Sequence, residues 1–245
     1  MCIPFRLADA VLVRSSGRVL LIDTGPDPEL LRRCLAHLGL ARVDLLVLTH
    51  FDKDHAGGAP ALTGRVDEVR HGPPDGAQDE RLLRRLSEGG ARVTAAAAGQ
   101  EGLLGEARWR VLWPRRVEPA FPPGNDLSVV LEVEGGGVPR SIFLGDMSAE
   151  SQAVLGRRVH PHGYAVVKVA HHGSADQDPA LYAALAPAVA LVSVGAGNDY
   201  GHPRRETLEI LRHVGARILR TDESGMILLG LDGERIRLWS ERSAP

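Results

Sequence analysis

The chain has 245 residues, of which 44% are hydrophobic and 24% charged, and a formal net charge of −2. That profile belongs to a globular protein with enough chain for a large core, and it excludes a global basic field, so any contact with a polyanion has to be local. No run approaches the ~20 apolar residues of a membrane span, and the opening has no charged segment ahead of an apolar one, so neither a transmembrane segment nor a signal peptide is expected.

The elements alternate from the start. Ala10–Val13 and Val19–Ile22 are short apolar runs around Ser15-Ser16-Gly17, which predicts a hairpin. Thr24-Gly25-Pro26-Asp27-Pro28 predicts a turn into a helix at about 28–39, with Leu30, Leu31, Cys34, Leu35 and Leu38 at helical spacing. Val43–Leu48 is a nearly continuous apolar run, as in a strand buried on both faces. After Gly57-Gly58 the pattern predicts a short helix, a strand near 66–70, a charged helix near 78–88, and a Gly- and Pro-rich stretch over 98–125 that contains the strand Trp109–Leu112. Further strands are expected at 127–133, 140–145, 165–170 and 188–194, with helices at 147–156, 178–185 and 204–214. The C-terminus closes with strands near 217–220, 225–230 and 234–239, the last two joined at Asp232-Gly233. Alternation with hairpins at both ends predicts an α/β fold, a four-layer αββα sandwich of two mixed β-sheets, formed as a single domain over 1–245.

The two cysteines, Cys2 and Cys34, have no metal-type spacing and are expected as free thiols. The chain has 27 Arg and only two Lys, Lys53 and Lys168, and both lysines fall inside the motifs below.

Ten histidines are present. His37, His71 and His213 stand alone and are expected to be surface or hydrogen-bonded residues, and His160-Pro161-His162 a surface loop. His50-Phe51-Asp52-Lys53-Asp54-His55 differs: four metal-competent side chains lie within six residues, directly after a buried strand. A tight loop there can aim several of them at one point, and imidazole with carboxylate is the usual donor set of hydrolytic zinc or manganese. Asp146 follows an apolar strand and also suits a helix N-cap. His171 and His172 end another buried strand; adjacent strand residues face opposite ways, so both serve one centre only if the chain turns there.

These motifs, in this order, resemble the metallo-β-lactamase fold of metallo-hydrolases. The segments concerned are Leu21–Gly25, Leu48–Gly58, Asn125–Leu131, Leu144-Gly145-Asp146, Lys168–Ser174 and Tyr200-Gly201-His202-Pro203. The family signature is His-x-His-x-Asp-His, and Asp52 stands here in the place of the second His. That substitution is similar to the hydrolase domain of ComEC-type competence (DNA-uptake) proteins. The resemblance implies two divalent ions, Mn or Zn, with His50 and Asp52 on one and Asp54 and His55 on the other. It further implies Asp146 as the bridging carboxylate and His172 as a further ligand. Asp54, His171 and His202 become the candidates to act on substrate, and Asp23, Lys53, Asn125 and Asp126 to surround the ligands. A His common in the family is absent from Gly124–Ser128, and Asn125, Asp126 or water is left to fill its place. The oxygen-rich set shifts the expected preference toward Mn²⁺.

The implied reaction is hydrolysis by activated water, since no Gly-x-Ser-x-Gly nucleophile occurs. The leading expectation is a nuclease acting on DNA, single strands above all, with Arg pairs at 84–85, 115–116, 157–158 and 204–205 as sources of a basic groove. The alternatives are a small-molecule hydrolase (phosphoester, lactone or thioester) and an inactive metal-binding support domain of a membrane channel. The family opening Asp-Val-Gly-Gln-Gly-Asp-Ala is replaced by Phe5-Arg6-Leu7-Ala8-Asp9-Ala10. That opening fits a truncated gene, an excised domain or a divergent stand-alone protein, and the first two readings carry a membrane-channel partner or a missing N-terminal membrane region with them. A stand-alone chain would be cytoplasmic; a domain of an uptake channel would lie on the outer face of the cytoplasmic membrane.

Overall fold

In the computed structural model the described residues are 9–117, 120–159, 163–233 and 235–242. The first sheet has five strands in the order β1 (Val11–Ser15), β2 (Arg18–Ile22), β3 (Val43–Leu48), β4 (Val66–His71) and β5 (Arg92–Ala95). The hairpin β1–β2 is antiparallel, and β2 to β5 run parallel. The second sheet has seven strands: β6 (Glu101–Leu104), β7 (Ala107–Trp113), β8 (Val130–Gly135), β9 (Val138–Phe143), β10 (Val166–Lys168), β11 (Val189–Val192) and β12 (Arg217–Arg220). Its first half is antiparallel, and β9 to β12 run parallel. A separate hairpin, β13 (Ile227–Asp232) with β14 (Arg235–Ser240), follows.

The helices are α1 (Pro28–His37), α2 (Lys53–Ala56), α3 (Ala77–Glu88), α4 (Ala149–Gly156), α5 (Pro179–Leu185), α6 (Arg205–His213) and α7 (Thr221–Ser224). Alternation along the strands sorts side chains into layers. Leu20, Ile22, Leu45 and Val47 meet Trp109, Val111, Leu131 and Phe143 between the sheets. On the other face of the first sheet, Leu21, Leu46, Leu48 and Val69 pack on Leu31, Leu35 and Leu86 of α1 and α3. On the other face of the second, Ile142, Val167, Ala190 and Val192 pack on Leu155, Leu181, Leu185 and Leu211 of α4, α5 and α6. The result is the expected αββα sandwich of two mixed sheets. No helix among the described residues is long and apolar enough to cross a membrane.

Several expectations shift. The strands β5 and β6 escaped notice because they are sheet-edge segments with mostly exposed side chains, which carry little apolar signal. The strand expected at 127–133 starts later, since Asn125–Leu127 forms a single 3₁₀ turn. The strand expected at 165–170 stops at Lys168, where the chain turns. Cys34 is disulfide-bonded and not a free thiol; Cys2, His160, Pro161, His162 and Phe5–Ala8 lie outside the described residues.

The parallel strands put their C-terminal ends, and the loops that follow, at one end of the sandwich. Asp23 follows β2, His50 follows β3, Asp146 follows β9, and His171-His172 follows β10. This is where parallel sheets offer backbone and side chains to a ligand.

Candidate functional site

The loop after β2 and the loop after β3 are laced together. Thr24 donates its backbone N–H and its hydroxyl to the His55 carbonyl, both at 2.7 Å, and the Gly58 N–H reaches the Gly25 carbonyl at 2.7 Å. A Cβ on Gly58 would lie 2.3 Å from the Thr24 carbonyl oxygen, so only glycine permits this approach. The one-turn helix α2 that results turns Asp54 and His55 inward, while Asp52 and Lys53 stay exposed at the rim.

Asp23 adopts φ 57°, an uncommon backbone state for a residue other than glycine. Its buried carboxylate accepts hydrogen bonds from the Thr49 N–H, the Thr49 hydroxyl and the His55 Nδ1–H, each at 2.7 Å. That bond holds a proton on His55 Nδ1, so Nε2 is the nitrogen that faces the centre and the one that supplies a lone pair once the ring is neutral. His172 is set the same way: its Nδ1–H donates to the Ser193 carbonyl at 2.9 Å, and its Nε2 faces inward. His50 Nδ1 lies 3.0 Å from the Thr49 hydroxyl and 3.3 Å from that of Ser128.

Around this point the donors converge. Asp146 Oδ2 is 3.2 Å from His55 Nε2, 3.3 Å from His172 Nε2 and 3.9 Å from His171 Nε2. Asp54 Oδ2 is 3.1 Å from His172 Nε2 and 3.8 Å from His55 Nε2. His50 Nε2 sits 3.7 Å from Asp52 Oδ2, and the rings of His50 and His55 are 4.0 Å apart. The Nε2 atoms of His50 and His55 are buried with no hydrogen-bond partner in the protein. A buried lone pair without a partner is costly, and a cation is what such an atom fits.

The charge balance points the same way. Asp9, Asp23 and Asp146 are buried and Asp54 is largely so, whereas Lys168 is the only ammonium among them. With neutral imidazoles the cage is strongly anionic, which a low-dielectric interior does not tolerate. The titration follows: burial alone would lower the His172 pKa, but Asp146 and Asp9 drive it up to about 10. His55 is likewise opposed by burial and still raised well above its ordinary value by Asp146 and Asp23. Asp146 moves well below the usual carboxylate range, because His55, His172 and Lys168 outweigh its desolvation. Protons on the two imidazoles thus occupy the electrostatic role that a divalent cation fits, and the donor chemistry, imidazole plus carboxylate, suits zinc or manganese.

Sequence reasoning passed over Asp9. One donor atom each from Asp9, His55, Asp146 and His172 lies within 4.8 Å of the others. The Asp9 carboxylate is directly ion-paired with Lys168, whose ammonium also reaches the Gly145 carbonyl at 3.1 Å and Asp146 Oδ1 at 3.5 Å. An ammonium on the carboxylate repels a dication, so Asp9 is best understood as the counter-ion that holds Lys168 in place. The signal was in the sequence: the family opening ends in Asp-Ala, and Asp9-Ala10 keeps those two letters.

His171 and His172 show how adjacent residues reach one centre. Both have left-handed backbones, φ 46° and 52°, within the turn Ala170–Gly173. The turn buries His172 inside the cage and leaves His171 at its mouth, about a third exposed. His202 lies 6.0 Å ring-to-ring from His171 and is stacked against Tyr200. Asn198 holds the His202 backbone through its N–H and carbonyl at 2.9 and 2.8 Å. Burial, followed by the charges of His171, His172 and Arg204, lowers the His202 pKa to about 4. With Pro26, Asp52, Lys53, Asp54 and Asp199 these residues line a cleft of about 410 Å³ over the cage.

Asp126 turns elsewhere. Its carboxylate accepts from the Ser148 hydroxyl at the start of α4, and its carbonyl accepts from Trp113 Nε1 at 2.7 Å. Asn125 gives its carbonyl to the Ser128 N–H at 3.0 Å. The neighbour that faces His50 from this segment is Ser128, which also accepts from the Asp146 N–H at 3.1 Å.

The model of the Metallo-beta-lactamase superfamily matches residues 3–177. The chain belongs to this superfamily. The metallo-beta-lactamase fold recurs in the solved structure of YhfI from Bacillus subtilis, with a TM-score of 0.57, 12% identity, and 87% of this chain and 88% of that one covered. Two curated relatives are more similar in sequence. "ComE operon protein 3" of Bacillus subtilis is 33% identical over 77% of this chain and 25% of its own length. "Competence protein ComA" of Neisseria gonorrhoeae is 32% identical over 91% of this chain and 30% of its own. The chain therefore spans between a quarter and a third of these relatives. As a metallo-beta-lactamase-superfamily domain it is a metal-dependent hydrolase with competence-protein relatives, and its cage carries a donor set fit for a divalent cation.

Proposed function

We propose that this chain hydrolyses phosphodiester bonds in DNA, with single strands as the preferred substrate, at a dinuclear centre held by His50, Asp52, Asp54, His55, Asp146 and His172. The observation that carries the reading is the buried anionic cage in which the inward Nε2 atoms of His50 and His55 have no hydrogen-bond partner in the protein. The similarity to competence proteins over most of the chain supports DNA as the substrate.

Divalent cations held there would supply Lewis acidity and lower the pKa of a nearby water. The chain's own residues do the rest. Asp23 and the Ser193 carbonyl keep His55 and His172 in the ligating tautomer. Lys168 and the Asp146 N–H contact with Ser128 hold the Asp146 carboxylate among the inward-facing donors. His202 is neutral at pH 7, so it offers an N–H to a phosphoryl oxygen in place of acting as an imidazolium acid. Lys53, on the rim, places a compact ammonium beside the scissile group. A membrane channel, as a partner or as a neighbouring region, belongs to the same proposal.

The test is manganese-dependent cleavage of single-stranded DNA by the purified chain, with bound metal measured alongside. Loss of both in His55→Ala is expected. Cleavage that survives His55→Ala contradicts the site assignment. A second reading, a small-molecule phosphoester, lactone or thioester hydrolase, is favoured by Asp52 and Asp199 on the cleft wall, which repel a polyanion. Turnover of such esters without any cleavage of DNA would select it.

A further inference from the structure

Beside the cleft over the cage lies a second one, of about 360 Å³, lined by Phe51, Lys53, Pro60, Gln78, Arg81 and Arg85 among others. Lys53 belongs to both walls, so the two clefts adjoin at this residue. Arg81 and Arg85 are one turn apart on α3 and share a face. Among the described residues, Lys53, Arg81 and Arg85 form no ion pair, whereas Arg32 and Arg33 of α1 are both paired with Glu29. Asp79 is the one carboxylate lining this second cleft, and its Oδ2 accepts the Asp75 N–H at 2.8 Å. Of the arginine pairs that were candidates for a basic groove, the pairs at 157–158 and 204–205 sit at the end of α4 and the start of α6, and Arg85 alone reaches this wall.

The first cleft is also lined by Tyr200, 64% exposed, its ring nearly parallel to His202 with 10° between the planes. An exposed ring backed by a second ring is the usual platform for a nucleobase, and unpaired cations along a groove are the usual track for a phosphate backbone.

We infer that the two clefts form one continuous binding track for a single-stranded nucleic acid. One nucleobase rests on Tyr200, the scissile phosphate lies over the cage, and the following phosphates pass Lys53 to Arg81 and Arg85 on α3. This rests on the phosphodiesterase reading and adds to it the path of the strand and the residues that select a polymer over a small ester. Phe51, half-buried on the wall of the second cleft, offers an apolar contact to the sugar there.

The test uses the double variant Arg81→Glu/Arg85→Glu and a control with the same charge change, Arg235→Glu/Arg237→Glu, on the C-terminal hairpin, which lines neither cleft. The substrate is a labelled oligothymidylate, followed both by cleavage with manganese and by fluorescence anisotropy of the metal-free protein. The α3 variant should raise KM and Kd roughly tenfold with kcat held, and flatten the dependence of log Kd on log salt by about 1.4, the value for two single-strand phosphate contacts. The hairpin control should change neither. Tyr200→Ala should weaken binding several-fold and Tyr200→Phe should restore it. Equal effects of the two double variants, or none from the α3 variant, overturn the track. A wild-type chain that cleaves no DNA contradicts the phosphodiesterase reading, and the anisotropy comparison still decides the track.

Discussion

Replacing Asp23 by Asn removes one charge from behind the cage and touches none of the inward-facing donors. Asn tolerates the left-handed φ of 57°, so the backbone is spared. The carboxylate accepts three hydrogen bonds at 2.7 Å, from the Thr49 N–H, the Thr49 hydroxyl and the His55 Nδ1–H. The Asn carbonyl keeps the Thr49 N–H, but its amide group then faces His55 as a donor. The neutral ring, the form that can ligate, answers by carrying its proton on Nε2, which points at Asp146 Oδ2 3.2 Å away and then offers no lone pair to a cation. Loss of such a supporting contact typically weakens metal affinity about 10- to 100-fold, or about 1.4–2.7 kcal/mol. The assay is competition for zinc or manganese against a chelating dye, with nitrogen NMR of the histidine tautomer as a second readout. Wild-type affinity together with a protonated Nε2 would refute the claim that His55 ligates through Nε2 under the control of Asp23.

Three further outcomes follow from the same geometry. Metal binding at pH 7 should release at least one proton, because His172, with a pKa of about 10, and His55 are protonated in the metal-free cage; calorimetry in buffers of different ionisation enthalpy measures it. The sign is that of a raised histidine: its stabilisation of the metal-free protein is complete below its unfolded pKa and disappears as pH rises toward about 10, so proton release should vanish there. Lys168→Met leaves Asp9 buried without its ammonium partner, at a cost of about 3 kcal/mol in urea unfolding of the metal-free protein, and adding Asp9→Asn should recover much of it; simple additivity of the two changes would contradict the pairing. Gly145→Ala forces a Cβ to 2.5 Å from that of Ser128 at φ 55°, next to Asp146. It should lower kcat by about 100-fold through displacement of that carboxylate, with kinetics and thermal unfolding compared on one preparation.

The layers were legible because buried parallel strands write continuous apolar runs, as in Val43–Leu48 and Val189–Val192. The strands β5 and β6 were not, because edge strands need little apolar area. The donors of α2 were legible because they sit within six residues and one turn gathers them. Asp23 was legible as an acceptor for a histidine ring N–H, and its contact with His55 Nδ1 is present at 2.7 Å. The pairing of His171 with His172 was ambiguous, since period-2 reasoning holds only while the strand lasts, and two consecutive left-handed residues end it. Asp9 was missed for a different reason. Its partner Lys168 is 159 positions away, and only the close packing of the strand ends reveals that the chain's two lysines serve different purposes, one buried as a fixed cation and one exposed at the rim.

The most direct test of the central claim is elemental analysis of the chain after manganese or zinc loading, combined with cleavage of single-stranded DNA by the same sample, for wild type and His55→Ala. Two ions per chain with cleavage in the wild type, and loss of both metal and cleavage in the variant, is the predicted result. A wild-type chain that binds no divalent ion, or cleavage that is indifferent to His55→Ala, would contradict it.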